Sequence, residues 1–287
     1  MPLVPTHEVL TATPLAAGAF NVVLLEQLEA VLTGATRAGL PVIVQISENA
    51  TAYRGSLAPL AAAARTAIEA TAVPVALHLD HATRPRLIEE AVVCGFTSVM
   101  YDGAHLPWEE NVTRTRELTA WCHRHGVFVE AELGEVGGKD GAHAPGVRTD
   151  PEQAARFVAE TGVDALAVAV GTSHQMTERT AAVDLDLVRA LRAAVSVPLV
   201  LHGSSGADDT TLTAVVQAGM SKVNMSTFLN TVFTGGVREA LATAPGTVDP
   251  RSYLRPAREA MADQVARLLT LLNTPEPVVS SATAMPA

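Results

Sequence analysis

Cysteine is nearly absent: Cys94 and Cys122 are the two in 287 residues, and no CxxC pair occurs. That speaks against a disulfide framework and against thiolate metal sites, and both thiols read as reduced side chains of helical segments. Positive charge is also scarce. Twenty Lys and Arg face thirty Asp and Glu, leaving a formal charge of -10, and no block of basic residues appears. Phosphate-backbone binding needs such a block, so nucleic acid is not an expected partner. No uninterrupted apolar run approaches the roughly 18 residues of a membrane span. The first fifteen residues lack the basic-then-apolar order of a secretory signal. A soluble, cytoplasmic protein without membrane contact is expected, with small molecules or its own copies as partners.

What is present is hydrophobic residues, 48% of the chain, against 17% charged, enough for one large core or two modest ones. Eight short β-rich runs are separated by longer helical patterns. They are GAFNVV near Gly18, PVIVQIS from Pro41, VPVALHLD from Val73, TSVMYDG from Thr97, VFVEAELG from Val127, ALAVAVG from Ala165, PLVLHGS from Pro198 and KVNMST from Lys222. Several are continuously apolar, as parallel strands covered on both faces are. Eight such units predict an α/β fold, a single-domain (β/α)8 TIM barrel over residues 1–273. An open doubly wound sheet is the alternative, but the GxGxxG fingerprint is missing after the first run. The Pro- and Ser-rich segment 274–287 reads as a flexible tail.

The run ALHLDHA at 76–82 carries two histidines and an aspartate where a buried strand would hold hydrocarbon. Unpaired, such groups cost several kcal/mol, so they are matched by partners or perform chemistry. Barrel chemistry sits at the C-terminal ends of the strands. His81, His174 and His202 follow the third, sixth and seventh runs, and three imidazoles with an open position describe a catalytic zinc site. A lone histidine is more often a hydrogen-bonded structural residue, a reading that weakens when three occupy equivalent ends. Asp80 beside His81 fits either a proton carrier or a carboxylate that orients a ligand histidine. His105 is expected to make a supporting hydrogen bond, and His123 and His125 to be solvated. The loops HGSSGADD and VNMSTFLN follow the seventh and eighth runs, where barrels often hold phosphate. Backbone N–H groups and hydroxyls there suit an anion, although a Ser/Gly loop with an ordinary helix cap is the plainer reading.

Together AFN at 19–21, ALHLDH at 76–81, TSVMYDGAHLPWEEN at 97–111, VEAELGEVGG at 129–138, AVAVGTSH, LVLHGSSG and KVNMST resemble the class II, metal-dependent fructose-bisphosphate and tagatose-bisphosphate aldolases. The likeness runs from about Phe20 to the helix near Met261. It implies reversible cleavage of a phosphorylated ketose to dihydroxyacetone phosphate and an aldehyde, with one zinc per subunit on His81, His174 and His202. Asp80 is implied as acid/base at the substrate C4 hydroxyl and His78 as an inward-facing supporting residue, with Lys222 not a nucleophile. Asp102 and Glu132 are implied near the metal. Asn21, Ser47, Gly171, Gln175, Gly203, Ser205, Asn224 and Thr227 are implied at the substrate and its phosphate, with a monovalent cation a further possible cofactor. Arg255 resembles an arginine reaching the other phosphate across a subunit contact, and a homodimer or homotetramer is implied.

Three places depart from the pattern. Gln175 stands where glycine is usual after the second zinc histidine, which reshapes a pocket where backbone would approach a ligand. Lys139-Asp140 replaces an acidic loop, leaving Asp140 where a proton-transfer glutamate is expected, and Ala104 replaces a serine. These put the aldehyde in question while leaving the zinc histidines and Asp80 intact. The competing functions are a metal-dependent sugar-phosphate isomerase and a non-catalytic sugar-phosphate binding protein.

Overall fold

The computed structural model describes residues 2–134, 148–173 and 178–275. Eight strands, β1 (Ala17–Asn21), β2 (Val42–Ser47), β3 (Val75–Ala82), β4 (Ser98–Tyr101), β5 (Phe128–Leu133), β6 (Ala165–Val168), β7 (Leu199–Leu201) and β8 (Met220–Met225), close into a barrel in chain order. Every neighbouring pair is parallel, including β8 against β1. The expected (β/α)8 architecture is borne out, and each of the eight runs overlaps one strand.

Helices alternate with the strands. A short α1 (Thr6–Ala12) precedes β1, and α2 (Leu25–Ala38) follows it; α3 (Glu48–Arg54) and α4 (Ala58–Glu69) both follow β2. Then come α5 (Pro85–Val93), α6 (Trp108–Arg124), α7 (Pro151–Thr161) and α8 (Leu185–Ala194). A 3-10 turn at Ser204–Gly206 leads to α9 (Asp209–Ala218), and α10 (Thr227–Thr243) and α11 (Pro250–Leu272) complete the order. α11 packs against α2 and α10. A Cβ at Gly34 would fall 2.5 Å from the Ala262 carbonyl oxygen, so glycine sets how closely α2 approaches α11. No helix among the described residues is long and apolar enough to cross a membrane.

Strand side chains alternate between two environments. Val42, Val44 and Ile46 join Leu77 and Leu79 in the main core between sheet and helices. Each such aliphatic side chain contributes about 1.5–3 kcal/mol on burial. The intervening residues fill the barrel, and their chemistry changes along its axis. At the bottom Ala17, Ala19, Ile43 and Ala76 pack on Val9 of α1, which plugs that end. Further along the strands Gln45, His78, Ser98, Glu130 and Lys222 are all buried. Two residues beyond four of these come Ser47, Asp80, Glu132 and Asn224 at the rim. The barrel interior passes from hydrocarbon to ionisable groups, with the charge gathered toward the C-terminal ends.

Candidate active site

Consecutive strand residues face opposite sides, so Asp80 and His81 would ordinarily part. A register shift interrupts the β3–β4 pairing between Leu79 and Ala82, and His81 has φ 50°, the sole positive φ outside glycine among the described residues. A non-glycine residue in that region is uncommon. Here the turn places His81 (9% exposed) beside Asp80 (4% exposed) in one pocket. Asp102 Oδ2 lies 2.8 Å from His81 Nδ1. That contact orients the ring and, in the neutral tautomer, leaves the lone pair on Nε2. Nε2 lies 3.9 Å from Asp80 Oδ1.

His202, just past β7, meets the His81 ring edge-on with centroids 4.6 Å apart. Two glutamates of β5, two strands away, grip it through the barrel interior. Glu130 Oε1 is 2.9 Å from Nε2, and Glu132 Oε2 is 3.0 Å from Nδ1. Burial works against a charge on this ring, but the hydrogen bonds to Glu130 and Glu132 outweigh it and raise its pKa to about 9. Lys222 Nζ reaches Glu130 Oε2 at 2.7 Å from β8. Burial alone would raise Glu130; Lys222 and His202 instead hold it below the usual carboxylate range. For Asp80, too, burial is overcome, here by interaction with the neighbouring His81 and His202 rings and Lys222, so it is an anion. Asn21 Nδ2 donates to Asp80 Oδ2 at 2.8 Å. The other oxygen, Oδ1, is buried with no hydrogen-bond partner among the described residues.

Ligand atoms of Asp80, His81 and His202 lie within 4.8 Å of one another, as do those of His81, Asp102 and Glu132. Imidazole nitrogens with carboxylate oxygens suit a divalent transition metal such as zinc, and the unpartnered Asp80 oxygen is a buried acceptor turned into that cluster. The residues present therefore fit the group the resemblance implies. His174 lies outside the described residues, but the chain leading to it is tied to His202. The Thr172 hydroxyl donates to the His202 carbonyl at 2.6 Å. Gly203, φ 66°, sits so close that an added Cβ would be 2.7 Å from the Ser173 carbonyl carbon.

Above this cluster opens a cavity of about 540 Å³. Asn21, Ser47, Asp80, His81, Gly203, Ser205, Asn224 and Thr227 line it, so eight of the residues singled out in the sequence converge there. The Ser204 hydroxyl donates to the Asn224 carbonyl, and Ser205 Oγ accepts from Phe228 N–H, binding the two candidate phosphate loops together. Gly171 is half-buried, with the Ala182 carbonyl 2.4 Å from where its Cβ would be, and Arg255 is exposed on α11; neither lines the cavity. Gln175, Lys139, Asp140 and the segment from residue 276 onward lie outside the described residues.

His105 is exposed rather than held in a supporting bond, because the β4–α6 connection turns it outward. His125 Nδ1 bonds the Trp121 carbonyl, and exposed His123 pairs with Asp164 at 2.9 Å. Lys222 is not at a strand end: β8 begins at Met220, which puts the amine inside the barrel. Glu130 escapes a search of strand ends because it lies mid-strand. The period of two in VEAEL was its signal, since it puts Glu130 on the face of Glu132. Glu48, Asn49, Thr83, Ser226 and Asn230 also line the cavity, and no local pattern distinguishes them from ordinary surface residues.

A closed parallel barrel with a histidine–carboxylate cluster at the C-terminal rim defines a (β/α)8 enzyme of metal-assisted chemistry. Residues 7–276 match the family model "Fructose-bisphosphate aldolase class-II". The chain belongs to that family of metal-dependent aldehyde-lyases. It is similar over 94% of its length to 97% of the YdjI aldolase from Escherichia coli K12, at 32% identity and a TM-score of 0.83. A Coccidioides immitis protein assigned as a fructose-1,6-biphosphate aldolase matches at 30% identity and TM-score 0.81, with 93% of each chain covered. The fold is shared with fructose-bisphosphate aldolase (Fba) from Campylobacter jejuni, at 24% identity and TM-score 0.79, covering 93% of this chain and 92% of that one.

Proposed function

We propose that the protein reversibly cleaves a ketose bearing a C1 phosphate into dihydroxyacetone phosphate and an aldehyde, with zinc held by His81, His174 and His202. The observation that carries this reading is the pairing of an anionic Asp80, one oxygen unpartnered among the described residues, with the imidazole of His81 in the cavity and that of His202 packed against it. Zinc bound there supplies a Lewis acid that polarises the carbonyl and hydroxyl oxygens of the ketose.

The side chains supply the rest. Asn21 holds Asp80 Oδ2, which turns Oδ1 to the C4 hydroxyl. In cleavage Asp80 takes that proton, the C3–C4 bond breaks, C4 becomes the aldehyde carbon, and the electron pair stays with C3. Asp140 is the group proposed to return a proton to C3. Gly203, Ser205 and the α10 N-terminus at Thr227 receive the C1 phosphate through N–H and hydroxyl donors. Asp102 and Glu132 orient His81 and His202, and Glu132 or Asp102 offers an alternative metal position. The protein is proposed to work in the cytoplasm as a homodimer or homotetramer.

The test is deuterium exchange from solvent into dihydroxyacetone phosphate, which needs no aldehyde. Exchange is expected with zinc, is lost on chelation and returns when zinc is restored. Zinc-loaded protein that catalyses no exchange overturns the proposal. Cleavage of fructose and tagatose 1,6-bisphosphates is then measured first, and their ratio reports the C4 stereochemistry.

A further inference from the structure

The cavity wall beside β2 and β3 carries a carboxylate held in place, with its one cationic partner among the described residues facing away from the lining residues. Glu48 follows Ser47, the register partner of Asp80 across β2 and β3, and lines the same cavity. Its carboxylate is anchored across the turn that carries His81. Oε2 accepts from Thr83 N–H at 2.7 Å and Oε1 from Arg84 Nε at 2.6 Å. The Thr83 hydroxyl donates to both oxygens, and the side chain is 18% exposed. Next to it in the chain Asn49 and Tyr53 also line the cavity, uncharged groups that donate and accept hydrogen bonds. Among the described residues, two guanidiniums bonded to this wall are turned to protein acceptors: Arg84 to Glu48, and Arg54 to the Val23 carbonyl at 2.6 and 2.9 Å.

Resting on the aldolase reading, we infer that Glu48 is a specificity-determining residue that selects an aldehyde ending in free hydroxyls and discriminates against one ending in a phosphate. A held carboxylate accepts hydroxyl hydrogen bonds, which are strong when the acceptor is charged. The same carboxylate repels a phosphate dianion, and specificity of this kind depends on the repulsive element as much as on the attractive one. A phosphorylated acceptor would have to draw Arg84 off Glu48 and leave that carboxylate without its cation.

The experiment is condensation of dihydroxyacetone phosphate with D-glyceraldehyde and, separately, with D-glyceraldehyde 3-phosphate, on zinc-loaded wild type, Glu48→Gln and Arg84→Gln. The wild type is expected to favour the unphosphorylated acceptor by at least about tenfold in kcat/KM, and Glu48→Gln to shift that ratio about tenfold toward the phosphorylated one, mainly through KM. The wild-type ratio stands whether or not a variant folds. A wild type that prefers the phosphorylated acceptor, and loses it in Arg84→Gln, overturns the inference. Deuterium exchange into dihydroxyacetone phosphate separates the two readings. Its absence defeats the aldolase proposal, whereas exchange with a preference for the phosphorylated acceptor defeats the role of Glu48 alone.

Discussion

His78 sits wholly inside the barrel, its Nδ1 2.8 Å from Ser98 Oγ. Burial, reinforced by the Lys222 charge, pushes its pKa down to about 3. An unfolded histidine titrates near 6.5, so as the pH falls below that value the unfolded chain takes up a proton that the folded one refuses. Stability present above pH 6.5 is lost toward pH 3, by about 1.4 kcal/mol per pH unit at most. His78→Asn, which keeps an acceptor for Ser98, is expected to flatten the acid limb of the stability curve. Thermal melts between pH 4.5 and 7 check this. His202 behaves in the opposite sense. Its raised pKa gives the metal-free protein stability that is complete below pH 6.5 and fades as the pH rises through about 9. Metal must displace that proton, so apparent zinc affinity is expected to rise about tenfold per unit from pH 6.5 to 8.5 in a chelator competition titration. For Asp80→Asn, turnover is expected to fall by roughly two or more orders of magnitude while the zinc content measured by elemental analysis is retained.

The strands and helices set these groups in place with different degrees of sequence legibility. The eight apolar runs were readable because each buried strand carries its hydrocarbon in a short stretch bounded by turn residues. The α2–α11 contact was not, since nothing local marks Gly34 as the point where the Ala262 backbone approaches. Gly34→Leu is expected to cost on the order of 1–3 kcal/mol by forcing the helices apart, measured as a lower urea midpoint with the cavity chemistry intact. The link between β5 and β8 is a second such case. Lys222→Met leaves Glu130 buried with His202 as its remaining cationic partner, for an expected loss of up to about 3–5 kcal/mol. Lys222→Met with Glu130→Gln is expected to recover part of it. In urea denaturation, losses of Lys222→Met and Glu130→Gln that simply add in the double variant would show that the pair is not coupled.

Across the whole molecule the acidic balance, the few basic residues and the order of motifs already pointed to a small-molecule barrel enzyme. The site was half legible in the same way. Asp80, His81 and His202 announced themselves as ionisable groups closing apolar runs, and Glu130 and Glu48 did not. Metal bound by the folded form alone stabilises that form by RT ln(1 + [L]/Kd), about 2.7 kcal/mol at a hundredfold excess over Kd. Chelation is therefore expected to lower Tm and zinc to restore it, by scanning calorimetry. Alternation of apolar runs, the face each strand residue takes and the residue types at the strand ends were determined by the sequence alone, because they depend on backbone periods of a few residues. Which charges meet was decided only by closure of the barrel. Lys222 and Glu130 are 92 residues apart along the chain and 2.7 Å apart in space, and no local period encodes that contact. The turn at His81 belongs to the same category: its φ of 50° persists because the Asp102 contact and the β3–β4 register shift hold it there.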